Sequence, residues 1–201
     1  MSEGAGSGCV GSARIVYSNV MRASVRLLRS FALAMLLGTG LASAAAAQEL
    51  MDDPCTGFKW DVSQERALFS SSAVPQAAGK NGESAPVVVP NRLYQLALKP
   101  LEQVSFSAPP GKKPSDPGSF AGIAALQIPS SGSYRISVDL PLWIDVAVNG
   151  ERVPAKDYEG QRNCDAPHKI VEFDLDAKKP LLLQFSGATQ GTLRVTVTRV
   201  N

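Results

Sequence analysis

The sequence predicts an all-β protein, an antiparallel β-sandwich of about eight or nine strands with jelly-roll-like connections and one short N-terminal helix. Three observations support this prediction. The central stretch, residues 132–150, holds two runs in which apolar and polar residues alternate. Further alternating runs follow, separated by Gly, Pro and Asn turn signals. No helix–strand alternation of the kind that builds parallel sheets occurs along the chain.

The central stretch shows the pattern most clearly. Residues 134–140 alternate apolar side chains from Tyr134 onward with polar ones, and residues 142–148 place Trp143 and Asp145 opposite an apolar set. Successive strand side chains point to opposite faces, so each run has one apolar and one mostly polar face. This is typical of antiparallel strands that cover a core on one side and meet water on the other.

One helix is predicted ahead of the strands, beginning at Asp61 and ending at Phe69. Asp61 can cap its first turn, and Gln64 stands at the spacing of a capping box. Val62, Arg66 and Phe69 fall on one side. We therefore expect a short helix lying on the sandwich.

The remaining strands and loops follow from alternation and turn residues. Strands are predicted at residues 94–99, 104–108, 120–128, 134–140, 142–148, 171–176, 181–185 and 193–198, with a further strand beginning at Glu151. Asn149-Gly150 is the strongest hairpin turn signal in the sequence, and Glu151 begins its partner strand. Loops are predicted at residues 70–90, 107–119 and 155–168, the last carrying Tyr158, Cys164 and His168.

The N-terminal region predicts export. Residues 21–47 contain arginines, a short apolar run and an alanine-rich site ahead of Gln48, which is the pattern of a secretory signal peptide. The apolar run is about half as long as the roughly 20 residues of a membrane span. Residues 1–20 are interpreted as an upstream start-site extension. Residues 48–201 then form a single β-sandwich domain without a transmembrane span, in a periplasmic or secreted protein.

Charge excludes one class of partner. Residues 1–47 carry four arginines and one glutamate, so their removal changes the formal net charge from +2 to −1. The basic character of the full chain belongs to the leader. The mature chain has no composition-level signal for nucleic acid or an anionic membrane.

Cysteine usage agrees with export. Of three cysteines, Cys9 leaves with the leader, and Cys55 and Cys164 remain. An even pair in an oxidising compartment predicts a disulfide; two free thiols are the alternative. A bridge over this span is worth at most about 4–5 kcal/mol in the chain-entropy description.

Few residues point to catalysis or to a cofactor, and no cofactor is predicted. His168 is the only histidine, whereas zinc and non-haem iron sites use two or three imidazoles. Asp165 lies near it, but no G-x-S-x-G nucleophile motif is present. Several strand aspartates are oxygen donors, yet no D-x-D-x-D-G calcium loop occurs. We interpret His168 as a loop residue beside the disulfide.

The candidate binding residues are Trp143, Asp145, Tyr134 and Tyr158. Aromatic side chains offer stacking platforms for a sugar ring or a peptide, and Trp143 stands on the polar side of its strand. The alternative is structural: Trp143 fills a second layer of the sandwich or lies under the helix.

Six short features occur in and next to residues 119–187: Gly118-Ser119-Phe120-Ala121-Gly122, Gly132-Ser133-Tyr134-Arg135, Trp143-Ile144-Asp145-Val146, Cys164, Lys169-Ile170-Val171-Glu172-Phe173 and Leu183-Gln184-Phe185-Ser186-Gly187. On these features the segment resembles a family of small exported proteobacterial proteins that has no assigned function. The strand pattern is more distantly similar to bacterial pre-peptidase C-terminal domains and carbohydrate-binding sandwiches, which are non-catalytic. Members of the small family sometimes carry the label homogentisate 1,2-dioxygenase, but a single histidine cannot supply that enzyme's two-histidine, one-carboxylate iron site.

The sequence therefore predicts an exported, non-catalytic β-sandwich that binds a glycan, an envelope polymer or another exported protein. The alternatives are an enzyme, either a carboxylate-based hydrolase or the labelled dioxygenase, and a structural envelope protein without a small ligand. Ligand identity and oligomeric state are not predicted.

Overall fold

A computed structural model describes residues 53–200. The predicted start-site extension and signal peptide, residues 1–47, lie outside the described residues. Within residues 53–200, no helix is long and apolar enough to cross a membrane.

The described chain folds into two mixed β-sheets. Its strands are β1 Val74–Ala77, β2 Val87–Val88, β3 Tyr94–Ala97, β4 Lys99–Pro100, β5 Phe120–Leu126, β6 Gly132–Val138, β7 Trp143–Val148, β8 Glu151–Val153, β9 Asp157–Gly160, β10 Lys169–Leu175, β11 Leu181–Ala188 and β12 Thr192–Arg199. The first sheet has the order β1-β3-β12-β6-β10-β9. The second has the order β2-β5-β11-β7-β8, and β4 also pairs with β5.

The two sheets share one hydrophobic core, as an all-β sandwich requires. The central stretch supplies both: β6 lies in the first sheet and β7 in the second. Tyr134 and Ile136 point inward from β6, and Ile144 and Val146 point inward from β7; all four belong to the same buried cluster. The predicted alternation of the central stretch is confirmed.

The hairpin signal is also confirmed. β7 and β8 pair antiparallel through Val148 and Glu151. Asn149 and Gly150 lie between them with φ values of 52° and 85°. Two positive φ values are what a tight two-residue hairpin turn requires, and Asn and Gly adopt them at least cost.

The sheets are mixed, so the prediction of a wholly antiparallel sandwich was too simple. β1 pairs parallel with β3, and β2 pairs parallel with β5. Both edge strands come from residues 70–90, which the sequence analysis assigned to a loop. These strands are two and four residues long and β1 contains Pro75, so neither shows an alternating pattern.

Two further segments differ from the prediction. Residues 104–108 form no strand but an extended covering segment, although their apolar residues alternate. Conversely, β9 lies inside the predicted loop at residues 155–168, where its polar sequence Asp-Tyr-Glu-Gly gives no apolar alternation. The described residues thus hold twelve strands where about eight or nine were predicted.

The predicted helix forms as α1, Ser63–Phe69, two residues shorter at its start. The N-cap residue is Val62 and not Asp61 as predicted, and it makes no side-chain cap hydrogen bond. The Asp61 carboxylate accepts a hydrogen bond from the Ser63 N–H at 2.9 Å, from one position before the cap. Gln64 does not complete a capping box; its side-chain amide instead donates to Asn91. The buried residues of α1 are Glu65 and Phe69, whereas Arg66 lies exposed.

Residues 53–73, including α1, cover the outer face of the first sheet. Thr198 on β12 donates to the buried Glu65 carboxylate at 2.6 Å. The predicted disulfide is present: Cys55 and Cys164 are bonded, with a Cα–Cα distance of 4.8 Å. It packs with a small second cluster that includes Phe58, Val62 and Ile170. The disulfide therefore links this covering segment to the loop before β10.

A second segment, residues 104–118, covers the outer face of the second sheet. Gln184 on β11 is 1% exposed, and its side-chain oxygen accepts hydrogen bonds from the Ser107 and Ala108 N–H groups. Its side-chain nitrogen donates to the Ala108 carbonyl at 2.9 Å. One glutamine thus satisfies three backbone groups, as a neighbouring strand would.

Candidate functional site

A pocket of about 380 Å³ opens at one edge of the sandwich. β8 pairs only with the second half of β7, from Val146 onward, so the first half of β7 leaves a gap beside the first sheet. The lining residues are Trp143, Ile144, Asp145, Arg152, Val153, Pro154, Ala155, Tyr158, Lys169, Val171 and Phe173. We call this space the edge pocket.

The wall of the edge pocket is fixed around Trp143. Its indole N–H donates to Asp145 Oδ1 at 3.0 Å, and Asp145 Oδ2 accepts from the Gly111 N–H at 3.0 Å. Arg152 Nη1 lies 3.9 Å from Asp145 Oδ1. Asp145 is only 7% exposed, and both its oxygens are engaged. It therefore orients Trp143 and residue 111 rather than offering a free carboxylate.

Lys169 lies against the same indole. Its Nζ is 4.8 Å from the centre of the Trp143 ring and donates to the Leu142 carbonyl at 2.9 Å. Burial lowers the pKa of Lys169, the positive charge of Lys112 lowers it further, and Asp145 opposes the shift. Lys169 and Lys112 are thus close enough for their charges to repel.

The floor of the edge pocket is apolar. Ile144, Val171 and Phe173 reach it from strands of both sheets, and each is at most 4% exposed. Tyr158 stands at the mouth on β9 and is 68% exposed. An apolar floor with a few placed polar groups is the usual composition of a small-molecule site, and the volume lies in the usual range.

Three of the four predicted binding residues meet at this pocket: Trp143, Asp145 and Tyr158. The fourth does not. Tyr134 is fully buried in the core, where its hydroxyl donates to the Ser130 carbonyl at 2.8 Å. Trp143 lies on the outer face of the second sheet beside residues 104–118, not under α1.

A second pocket, of about 420 Å³, adjoins the first, and we call it the basic pocket. Trp143 and Lys169 line both pockets and therefore form the wall between them. The other lining residues of the basic pocket are Lys112, Lys113, Pro114, Ser115, Asp116, Ser119, Pro141, Leu142, Gly160, His168, Ser186, Gly187 and Thr189. His168, which the sequence analysis interpreted as a loop residue beside the disulfide, lies in the wall of the basic pocket.

Sequence reasoning missed Lys169 and Arg152 as site residues. Lys169 begins β10, and Arg152 is the exposed middle residue of the three-residue strand β8. Charged residues at such positions usually face solvent, so neither position indicated a site. Lys112 and Lys113 were recognised only as exposed loop residues, because nothing in the sequence says that their loop folds back onto a sheet.

Within residues 53–200, no three His, Cys, Asp or Glu side chains gather in a way that could hold a metal ion. The strand aspartates considered for calcium have protein partners. Asp174 accepts from the Ser133 hydroxyl, and Asp176 from the Ser131 hydroxyl at 3.1 Å.

No family model matches the sequence, and no curated protein matches it significantly. The resemblance to the small exported family and to carbohydrate-binding sandwiches therefore stays a prediction.

Proposed function

We propose that this protein is an exported, non-catalytic β-sandwich that binds the sugar rings of a glycan or envelope polymer in the edge pocket. The observation that supports this most is the convergence of Trp143, Asp145 and Tyr158 at one pocket. Trp143 and Asp145 lie on β7 of the second sheet, and Tyr158, 15 positions after Trp143, lies on β9 of the first sheet.

The physical argument rests on the two kinds of surface in the pocket. The apolar C–H face of a sugar ring packs on an aromatic side chain, while its hydroxyls need polar partners at the rim. Trp143 is held by Asp145 and Lys169, so little side-chain entropy remains to be lost on binding. Arg152 and Tyr158 supply polar groups at the opening.

The compartment and the connectivity belong to the same proposal. The Cys55–Cys164 disulfide supports an oxidising compartment, the periplasm or the exterior. The strand orders β3-β12-β6-β10 and β5-β11-β7-β8 favour jelly-roll connectivity, with the other strands as additions at the edges. Carbohydrate-binding sandwiches, to which the sequence shows a distant similarity, are the functional class that we infer.

The test is a tryptophan-fluorescence titration of the mature protein with soluble peptidoglycan fragments and common polysaccharides. We expect a saturable change that Trp143→Ala abolishes. Trp60→Ala is the matched control, because Trp60 lies on the other sheet's cover between Lys59 and Arg135, each 4.7 Å from its ring centre. A saturable response unchanged in Trp143→Ala, or no response to any glycan, would contradict the proposal.

A further inference from the structure

We infer that the basic pocket is an oxyanion subsite, so that the bound glycan is an acidic one bearing carboxylate or phosphate groups. This inference rests on the proposed function, because it names the class of glycan that reaches past Trp143. A sugar ring in the edge pocket would place its charged neighbour beside Lys112, Lys113 and Lys169.

The first observation is an excess of positive charge. Lys112, Lys113 and Lys169 line the basic pocket, and within residues 53–200 none of them has a carboxylate within 4.0 Å. The one acidic residue of the lining, Asp116, accepts a hydrogen bond from the Gly118 N–H at 2.8 Å, and Asp145 acts on Lys169 only from beyond ion-pair distance. Three lysines against one lining aspartate leave a net positive charge, and an anion placed between the lysines would reduce their repulsion.

The second observation is an unsatisfied hydroxyl. Ser186 is 2% exposed, and within the described residues its Oγ has no hydrogen-bond partner. Ser186 pairs directly with Trp143 across β11 and β7, so the two side chains share the outer face of the sheet. A buried polar group without a partner is uncommon and destabilises the fold. A ligand oxygen in the basic pocket would supply the missing partner.

The third observation is that hydrogen bonds to the second sheet hold the loop that carries Lys112 and Lys113. Gln184 holds Ser107 and Ala108, and Asp145 holds the Gly111 N–H immediately before Lys112. At Gly111 an added Cβ would collide with Arg152 Nη1 and would lie 2.8 Å from Trp143 Nε1 and 2.9 Å from Asp145 Oδ1, so a larger residue there would have to displace these side chains. The loop is therefore already ordered before a ligand binds, and binding costs little further conformational entropy of the loop.

The two pockets act together because Trp143 and Lys169 belong to both. The ring offers an apolar surface and the ammonium group a positive charge, and both line each of the two pockets. This arrangement discriminates by charge: a neutral glycan uses only the edge pocket, whereas an acidic glycan uses both. The lysine ammonium group is a compact positive charge with three hydrogen-bond donors, so it can bind a carboxylate or a phosphate.

The experiment is isothermal titration calorimetry of the mature protein with tetragalacturonate and with its methyl ester, which has the same rings without the charges. Inorganic phosphate is titrated separately. We expect the acid to bind at least about tenfold more tightly than the ester, since one charge-assisted hydrogen bond is worth about 1.5–3 kcal/mol. The preference should weaken as salt concentration rises.

Variants locate the effect. Lys112→Gln/Lys113→Gln should bring the acid to the affinity of the ester. The matched control is Lys178→Gln/Lys179→Gln, which removes the same two charges from an exposed turn that lines neither pocket. Both double variants leave the backbone contacts of the fold intact, so both should fold.

The outcomes separate the two proposals. Equal binding of acid and ester overturns the oxyanion subsite and leaves glycan binding standing. Equal loss of acid affinity in both double variants also overturns it, because general electrostatics would then explain the preference. Phosphate binding that only the Lys112/Lys113 variant loses, without saccharide binding, supports the subsite and contradicts the glycan function. Binding of neither phosphate nor saccharide overturns both.

Discussion

Replacing Gln184 with alanine tests whether a single side chain holds residues 104–118 on the second sheet. Gln184 makes three hydrogen bonds, at 2.7 and 3.0 Å from the Ser107 and Ala108 N–H groups and at 2.9 Å to the Ala108 carbonyl. Each is worth about 1 kcal/mol net, so Gln184→Ala should lower the free energy of unfolding by about 3 kcal/mol. The vacated volume under a buried segment adds to this loss.

The assay is urea denaturation of residues 48–201 with the disulfide intact, followed by tryptophan fluorescence and circular dichroism so that two-state behaviour is checked. Gln95→Ala is the control, because Gln95 lies exposed on β3 and its loss should change the free energy of unfolding by no more than about 0.5 kcal/mol. A Gln184→Ala value within about 1 kcal/mol of the wild type would refute the reasoning. It would mean that water replaces the Gln184 side chain as hydrogen-bond partner of the Ser107 and Ala108 backbone groups.

Three further predictions concern other contacts. Cys55→Ser/Cys164→Ser opens a link between residues 109 positions apart and should cost about 4–5 kcal/mol in urea unfolding; a cost below about 1 kcal/mol would contradict the loop-entropy argument. Burial raises the pKa of Asp139 above its ordinary 3.8, so the stability of the fold falls as pH rises from 3.8 through the folded-state pKa. Asp139→Asn should therefore become more stable relative to the wild type across that pH range. The prediction is refuted if the urea midpoints of the variant and the wild type differ by the same amount at pH 3.5 and at pH 7. Gly111→Ala should weaken tetragalacturonate binding by displacing the loop before Lys112, whereas Gly118→Ala, with only the Asp116 carboxylate 3.3 Å from an added Cβ, should bind normally in the same calorimetric titration.

The all-β architecture was predictable because one face of each long strand meets a large shared core. Ile136 and Val146 alternate with polar neighbours, and this period of two is visible in the sequence. The disulfide was predictable because only two cysteines follow the predicted leader, and they allow only one intramolecular pairing.

The polar faces were misread as solvated. Thr198, Glu65 and Gln184 are polar, yet all are at most 2% exposed because chain segments lie over both sheets and satisfy their hydrogen bonds. A polar residue looks the same in sequence whether its partner is water or a backbone group 76 residues away, as for Gln184 and Ala108. Alternation therefore predicts which side faces the core, but not what covers the other side.

The candidate site was predictable to the same extent. Trp143 was identifiable because a large aromatic residue stood where a solvated one was expected. The basic pocket was not, since it forms only when residues 112–116 return to the sheet beside Lys169 and Ser186. That return depends on Asp145 and Gln184, whose targets are backbone groups and carry no sequence signature.

The contact between Glu65 and Thr198 also sets the order in which the molecule is completed. These residues are 133 positions apart, and Arg194 reaches back a similar distance to the Phe69 carbonyl. Residues 53–73 therefore dock onto a strand that is synthesised more than 100 residues later, and the buried Glu65 carboxylate has no Thr198 hydroxyl to accept from until β12 is made. Before then the outer layer of the first sheet cannot close. Long-range closure of this kind favours slow folding, because the contacts that complete the outer layer join residues far apart in sequence.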